Sequence, residues 1–204
     1  MIEFKEWPKT PRLFRDMIVT EKIDGTNAAI IIEAVEPGLG WEDQPAKAVE
    51  AFDGEYLVGA QSRKRLITPE VDNFGFARWV WDNAEDLVHA LGPGRHYGEW
   101  WGSGIQRGYG LQNGEKRFSL FNVKRYADMF SMIPNLGTVP VLFEGPFDLD
   151  EVATQIGQLR LTGSQASPGF MRPEGVVVFH AASGAVYKAT LENDEAPKGA
   201  LKAA

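Results

Sequence analysis

The sequence contains no cysteine. That absence excludes disulfides, and with them a disulfide-linked partner, as well as thiolate-bound zinc, iron–sulfur clusters and a cysteine nucleophile. It also fits a reducing compartment. Histidine is nearly as scarce: His89, His96 and His180 are scattered and form no H-x-x-x-H metal spacing. No apolar run approaches the ~18 residues of a membrane span, and the opening stretch Met1–Pro8 lacks the basic-then-apolar layout of a signal segment. These absences predict a cytoplasmic protein with no membrane partner. Basic residues are the minority, 21 Lys+Arg against 28 Asp+Glu, for a formal charge of −7. A chain that is basic overall is therefore excluded, while a local basic groove is not.

What is present is enough apolar material for a core: 44% of 204 residues are hydrophobic. The length and the lack of an internal linker predict one domain over residues 1–204, with Glu192–Ala204 a loose polar tail. The 22 glycines and 12 prolines cut the chain into short segments. β-Branched runs predict strands at Met17–Asp24 and Ala28–Glu33, joined by a tight Asp24-Gly25 turn. Further strands are predicted at Ala46–Ala51, Tyr56–Ser62, His96–Trp101, Phe118–Val123, Val141–Glu144, Gly175–His180 and Ala185–Leu191. Apolar residues at Phe76, Val80, Ala84, Leu87, Val88 and Leu91 predict one helix over Phe74–Leu91, and Leu149–Leu159 is a second. Many strands, two helices and no βαβ alternation indicate an α+β fold of mostly antiparallel sheet.

Lys22 is the most informative residue. It lies in Glu21-Lys-Ile-Asp-Gly-Thr-Asn27, where a strand runs into a glycine turn. The plain reading is a surface lysine; the chemical one is an amine nucleophile, which works only when deprotonated near other cationic groups or in partial burial. Other parts of such a site follow in order. Ser62-Arg-Lys-Arg65 offers guanidinium groups for phosphate or a ribose hydroxyl. Glu99, alone among aromatic residues and glycines in Tyr97–Gly102, needs a polar partner. Phe121 offers a ring for base stacking, Glu174 opens an apolar strand and suits a metal or its water, and Lys188 stands on the last strand. Arg107, Lys116, Arg117, Lys124 and Arg125, with Arg63-Lys64-Arg65, could rim a nucleic-acid groove. The plain reading suffices for Trp7 and for one or both of Trp79 and Trp81 as packing residues, for at most one of Trp100 and Trp101 facing a site, and for His96 as a strand histidine satisfied by its neighbours.

From Met17 to Thr190 the combination resembles the nucleotidyltransferase domain of the covalent nucleotidyltransferases, an ATP-grasp-like fold shared by polynucleotide ligases and capping enzymes. It is most similar to the RNA ligase 2-like branch found in phages. The elements are Glu21–Asn27, Arg63 followed by Pro69 and Phe74-Gly75, Gly98-Glu99 with Gly102, Phe121, Glu174-Gly175 and Lys188. The resemblance implies an ATP-dependent RNA ligase that works through a lysyl-AMP intermediate. It acts on nicked duplex or broken RNA ends in the cytoplasm (a host's, if phage-encoded), with Mg2+ or Mn2+ and with no partner protein indicated. It further implies that Lys22 attacks ATP, helped by Arg63, Glu174 and Lys188, and that Glu21, Asp24, Gly25, Arg63, Glu99, Phe121, Glu174 and Lys188 bind the nucleotide. Asp24 and Arg63 would share the ribose, Glu174 would hold the metal, and Asn27 and Phe74 would place the RNA 3′ end. A DNA ligase or related nucleotidyltransferase, and a degenerate nucleotide- or RNA-binding module, are the alternatives. Two departures stand out. The last motif keeps one lysine where the family has K-x-K, so that Lys188 follows Val186 or precedes Thr190 in the missing place, and Asp24 stands where the nearest branch often has histidine.

Overall fold

The computed structural model describes residues 1–38, 44–52, 54–129 and 132–192. The expected tail beyond Glu192 lies outside them. The described residues form two sheets and three α-helices. The four-stranded sheet has the order β11-β10-β1-β9: β1 (Asp16–Lys22) is flanked antiparallel by β9 (Val141–Pro146) and β10 (Gly175–His180), and β11 (Ala185–Thr190) closes the edge. The larger sheet runs β3-β4-β2-β6-β7-β8. Its members are β2 (Thr26–Val35), β3 (Ala46–Ala51), β4 (Gly54–Ser62), β6 (Gly94–Gly102), β7 (Lys116–Leu120) and β8 (Leu136–Thr138), with β5 (Leu66–Ile67) on β4. Among the described strands only β7 and β8 pair in parallel. The mostly antiparallel α+β class is as expected.

Strand periodicity assigns each sheet one face to a core. In the large sheet Ala28, Ile30, Ile32, Val58, Ala60, Trp100, Phe118 and Leu120 pack against α1 (Phe76–Asp82) and α2 (Ala84–Leu91). In the small sheet Met17, Val19, Val176 and Val178 pack against Leu159, Ile156 and Val152 of α3 (Leu149–Thr162). Asp148 caps α3 by accepting from the Asp150 N–H at 2.9 Å. The opposite faces of the two sheets carry Lys22 and Lys188 in one and Asn27 and Glu99 in the other.

Three local expectations change. The Asp24-Gly25 turn is not a hairpin: β1 and β2 belong to different sheets, and the turn carries the chain from one to the other. Glycine is needed there for close approach, since a Cβ on Gly25 would lie 2.5 Å from the Trp100 carbonyl oxygen. The single helix over Phe74–Leu91 breaks at Asn83 (φ −110°), whose backbone and side-chain N–H groups both donate to Trp79 O. The break lets both halves turn apolar residues onto the sheet, and it leaves Phe74 and Gly75 ahead of α1 in left-handed conformations (φ +55° and +82°). Strand β7 ends at Leu120, so Phe121 follows it. Trp79 and Trp81 both pack partly against the core, but Trp7 is 87% exposed and packs nothing, contrary to expectation. Trp100 and Trp101 are both buried and occupied: their indole N–H groups donate to Phe74 O and Ser119 Oγ. His96 is buried between Tyr126 Oη and Gly92 O, and burial lowers its pKa to about 4, so it is neutral.

Candidate active site

The last residue of β1, Lys22, lies opposite Gly175, and Gly175 lies opposite Thr190, so the three form one row across the small sheet. Lys22 Nζ forms an ion pair with Glu174 Oε2, both side chains 22% exposed. That carboxylate oxygen is removed from solvent and accepts no hydrogen bond of normal geometry, so among the described residues the lysine is its single polar contact. Glycine at 175 is obligatory for this arrangement: a Cβ there would meet Ala189 O at 2.1 Å. Lys188 is exposed two rows along, opposite Val177 and Thr20 and so on the same face as Lys22. Of the two positions for a missing lysine, Thr190 therefore shares a row with Lys22, whereas Val186 lies four rows away.

In the large sheet, Asn27 on β2 is directly opposite Glu99 on β6. Glu99 is 8% exposed; it accepts from the Gly25 N–H at 3.1 Å and from Asn27 Nδ2 at 2.6 Å. Asn27 Oδ1 in turn accepts from Arg63 Nε at 3.1 Å and from Nη2. A guanidinium, an amide and a carboxylate are thus linked in series at the exit of the Lys22 turn. Burial raises the pKa of Glu99 to about 7, against the pull of Lys22, Asn27 and the Gly25 N–H, with Glu174 adding to the rise. The folded chain therefore holds this proton up to about pH 7, whereas the unfolded carboxyl loses it near its ordinary value of 4.5. Stability from this group is full at low pH and is lost as pH rises through that window, by up to about 3 kcal/mol. Denaturant melts at pH 5 and pH 8 should show this loss in the wild type, with the corresponding slope missing from Glu99→Gln; equal slopes would remove the assignment.

Several expected nucleotide contacts are placed differently. Glu21 is a correction: its carboxylate is 1% exposed and faces away from Lys22. It accepts from Tyr109 Oη at 2.7 Å and from the Gln165 and Ala166 N–H groups at 2.8 and 2.9 Å. Strand alternation explains this, because neighbours on β1 point to opposite faces. Asp24 and Arg63 do not meet. Asp24 pairs with Arg107 at 2.9 Å, while Arg63 reaches Asn27. Phe121 continues the β7 register opposite Tyr97, whose carbonyl accepts its N–H at 3.0 Å, and its ring is 42% exposed. Phe74, 46% exposed, is held by Trp100 Nε1 on its carbonyl, and the adjoining Asn73 Nδ2 donates to Thr26 Oγ1 beside Asn27. The expected basic rim is mostly committed elsewhere. Arg117 bonds Glu115 and Ala166 O, Lys124 bonds Glu144, and Arg125 reaches the carbonyls of Arg95 and Pro93.

Tyr109 is the important residue that motif reading passed over. Its buried hydroxyl donates to Glu21 Oε1 and Lys22 O and lies 3.4 Å from the Glu174 N–H, so it ties the end of β1 to the start of β10. Burial, then Glu21, pushes its pKa upward. The signal was the glycine-dense stretch Gly102–Gly110 around it.

Solved structures with the same fold include variants of an RNA ligase from Naegleria gruberi. One with ATP and manganese has a TM-score of 0.54 at 15% identity, covering 88% of this chain and 51% of that one. Another with AMP and manganese gives 0.53 at 14% identity over 87% and 50%. A nucleotide-free variant gives 0.52 at 17% identity over 91% and 53%. The chain thus spans about half the length of the solved structures it matches. No curated protein matches at a significant level. A sequence model described as RNA ligase matches residues 15–190. That match runs from β1 through β11 and takes in the whole of the candidate site: the chain belongs to the RNA ligase family.

Proposed function

We propose that the protein is an ATP-dependent RNA ligase that joins RNA 3′-hydroxyl and 5′-phosphate ends through a lysyl-AMP intermediate and an AMP-capped 5′ end. The observation that carries this reading is the convergence of Lys22 on β1, Glu99 on β6 and Glu174 just before β10, with Arg63 and Lys188 nearby in the fold. In the first step Lys22 Nζ bonds to the α-phosphorus of ATP, the bond to the bridging oxygen breaks, and pyrophosphate leaves. A lysine attacks as the free amine, so the Lys22–Glu174 ion pair must open and the ammonium must lose a proton. The remaining requirements are positioning and cations on the phosphate oxygens. Lys188 supplies one such cation. Arg63, held by Asn27, supplies another. In this reading Glu99 accepts from a ribose hydroxyl, Phe121 stacks on the base, and Asn27 and Phe74 guide the RNA 3′ end.

Among the described residues no three His, Cys, Asp or Glu side chains cluster to hold a metal by themselves. The buried, underused oxygen of Glu174 fits a hard cation that takes one protein carboxylate and completes its shell with phosphate and water. Such a cation, Mg2+ or Mn2+, would withdraw charge from the phosphate oxygens. No described helix is long and apolar enough to cross a membrane.

The direct test is a nicked RNA duplex with a 5′-phosphate, incubated with the protein, ATP and magnesium. Sealed strand, AMP and pyrophosphate in equal amounts are expected. A nick left open with ATP unconsumed overturns the reading, and preferential sealing of DNA nicks assigns the chain to the DNA ligase alternative.

A further inference from the structure

The loop joining β6 to β7 is costly in conformation. Gln106 and Tyr109 have φ of +46° and +43°, among glycines at 104, 108 and 110 that are also left-handed. Two non-glycine residues held there need a surrounding structure that fixes them. The anchor is Tyr109, 0% exposed, with its ring against Trp101 and Phe170 and its hydroxyl on Glu21 and Lys22 O. The loop is thereby fastened to the backbone of the proposed nucleophile itself. What this geometry delivers is Arg107, which returns across the end of β1 to place Nε 2.9 Å from Asp24 Oδ2.

The pair is made with one nitrogen. Nη1 and Nη2 of Arg107 donate to no other described residue. Arginine–carboxylate pairs are frequently bidentate, with two parallel N–H bonds; this one uses a single nitrogen and keeps its terminal nitrogens available. The ion pair is also part-exposed, 39% for Arg107 and 22% for Asp24, and such pairs contribute little to stability. Burial opposes the charge on Arg107, but the bond to Asp24 and the fields of Asp24, Glu174 and Glu192 outweigh it, so the cation stands within electrostatic reach of the Lys22–Glu174 pair. The tyrosine holds the loop without it.

We infer that Arg107 is a phosphate-binding residue of this site, positioned by Asp24, whose free guanidinium edge takes a terminal phosphate group: the β,γ-phosphates of ATP or the 5′-phosphate of the RNA. This rests on the ligase reading and adds to it a cation that the nucleophile motif did not indicate. It also changes the role of Asp24 from ribose contact to support for the guanidinium.

The experiment uses the full chain in EDTA, so that binding is measured without turnover. ATP and adenosine form one pair of probes, and short RNAs bearing a 5′-phosphate or a 5′-hydroxyl form the other. Arg107→Ala should weaken ATP relative to adenosine, or 5′-phosphate RNA relative to 5′-hydroxyl RNA, by ~10-fold or more, the scale of a charge-assisted hydrogen bond. The first result assigns the triphosphate and the second the RNA end. Arg107→Lys should recover part of the loss as a point charge. Unchanged affinity for all four probes overturns the inference, as does an equal loss for adenosine and ATP without any loss specific to the 5′-phosphate. If Arg107→Ala fails to fold, Arg107→Gln serves instead: it removes the charge while keeping a donor toward Asp24, and it should show the same phosphate-specific loss, with unchanged affinity for all four probes again overturning the inference. A wild type that binds phosphate through Arg107 but seals no RNA would retire the ligase reading and leave the site standing.

Discussion

Lys22→Ala and Lys22→Arg should each abolish covalent attachment of AMP, a loss limited only by detection. The wild-type protein, incubated with ATP and magnesium and examined by intact mass, should gain one AMP, released by acid and stable to base as expected of a phosphoramidate. Alanine has no nucleophile. Arginine keeps the charge, and so isolates nucleophilicity from electrostatics, because its guanidinium stays protonated in proteins. Glu174→Ala adds a second constraint. It frees Lys22 from its ion pair and at the same time removes the proposed metal ligand, so adenylylation should fall and recover in part at high magnesium. The fall is expected because metal support of the phosphate outweighs any gain from releasing the amine. An adduct that persists in Lys22→Ala, or that maps to Lys188, would falsify the nucleophile assignment.

The parts of the site that were legible in the sequence are those whose residue type is unusual for its surroundings. Glu99 stands alone in an aromatic strand, and Glu174 precedes a glycine at the start of a valine run. Both are found at the site, together with Lys22. The strands were legible for the same reason, through period-two burial. What could not be read was the partner of each strand. A β-branched run followed by Asp-Gly suggests a hairpin, but pairing is decided by which faces must be covered, and β1 and β2 serve different cores. The same limit governs the charged residues. Local sequence makes Glu21 and Lys22 equivalent neighbours, yet the pleat turns one into a buried clamp with Tyr109 and the other into the cleft. Arg63 and Arg107 were both visible as cations, but their exchange of partners, Asn27 for one and Asp24 for the other, follows from where loops separated by over 40 residues come to rest.

Asn27→Ala should lower self-adenylylation by ~10-fold and sealing of a preadenylylated nick by ~10²-fold, the range expected when reacting groups lose their near-attack placement. A turn asparagine usually satisfies its own backbone, and removing it would then cost little. This one does not: its amide donates to Glu99 and its carbonyl oxygen accepts from Arg63, so it joins the two residues proposed to hold nucleotide and phosphate. Truncation leaves a part-buried carboxylate with the Gly25 N–H as its remaining hydrogen-bond donor and releases the guanidinium, and both effects act on the first step. The larger loss at sealing reflects the proposed second duty of the same amide toward the RNA 3′ end, beside Phe74. The two duties separate experimentally. Asn27→Ala combined with Arg63→Ala should be non-additive for adenylylation, because each removes the same contact. A sealing rate equal to wild type on a preadenylylated nick removes the 3′-end role and leaves the bridge. Additive effects of the two substitutions on adenylylation remove the bridge, and Asn27 then acts on the acceptor strand alone.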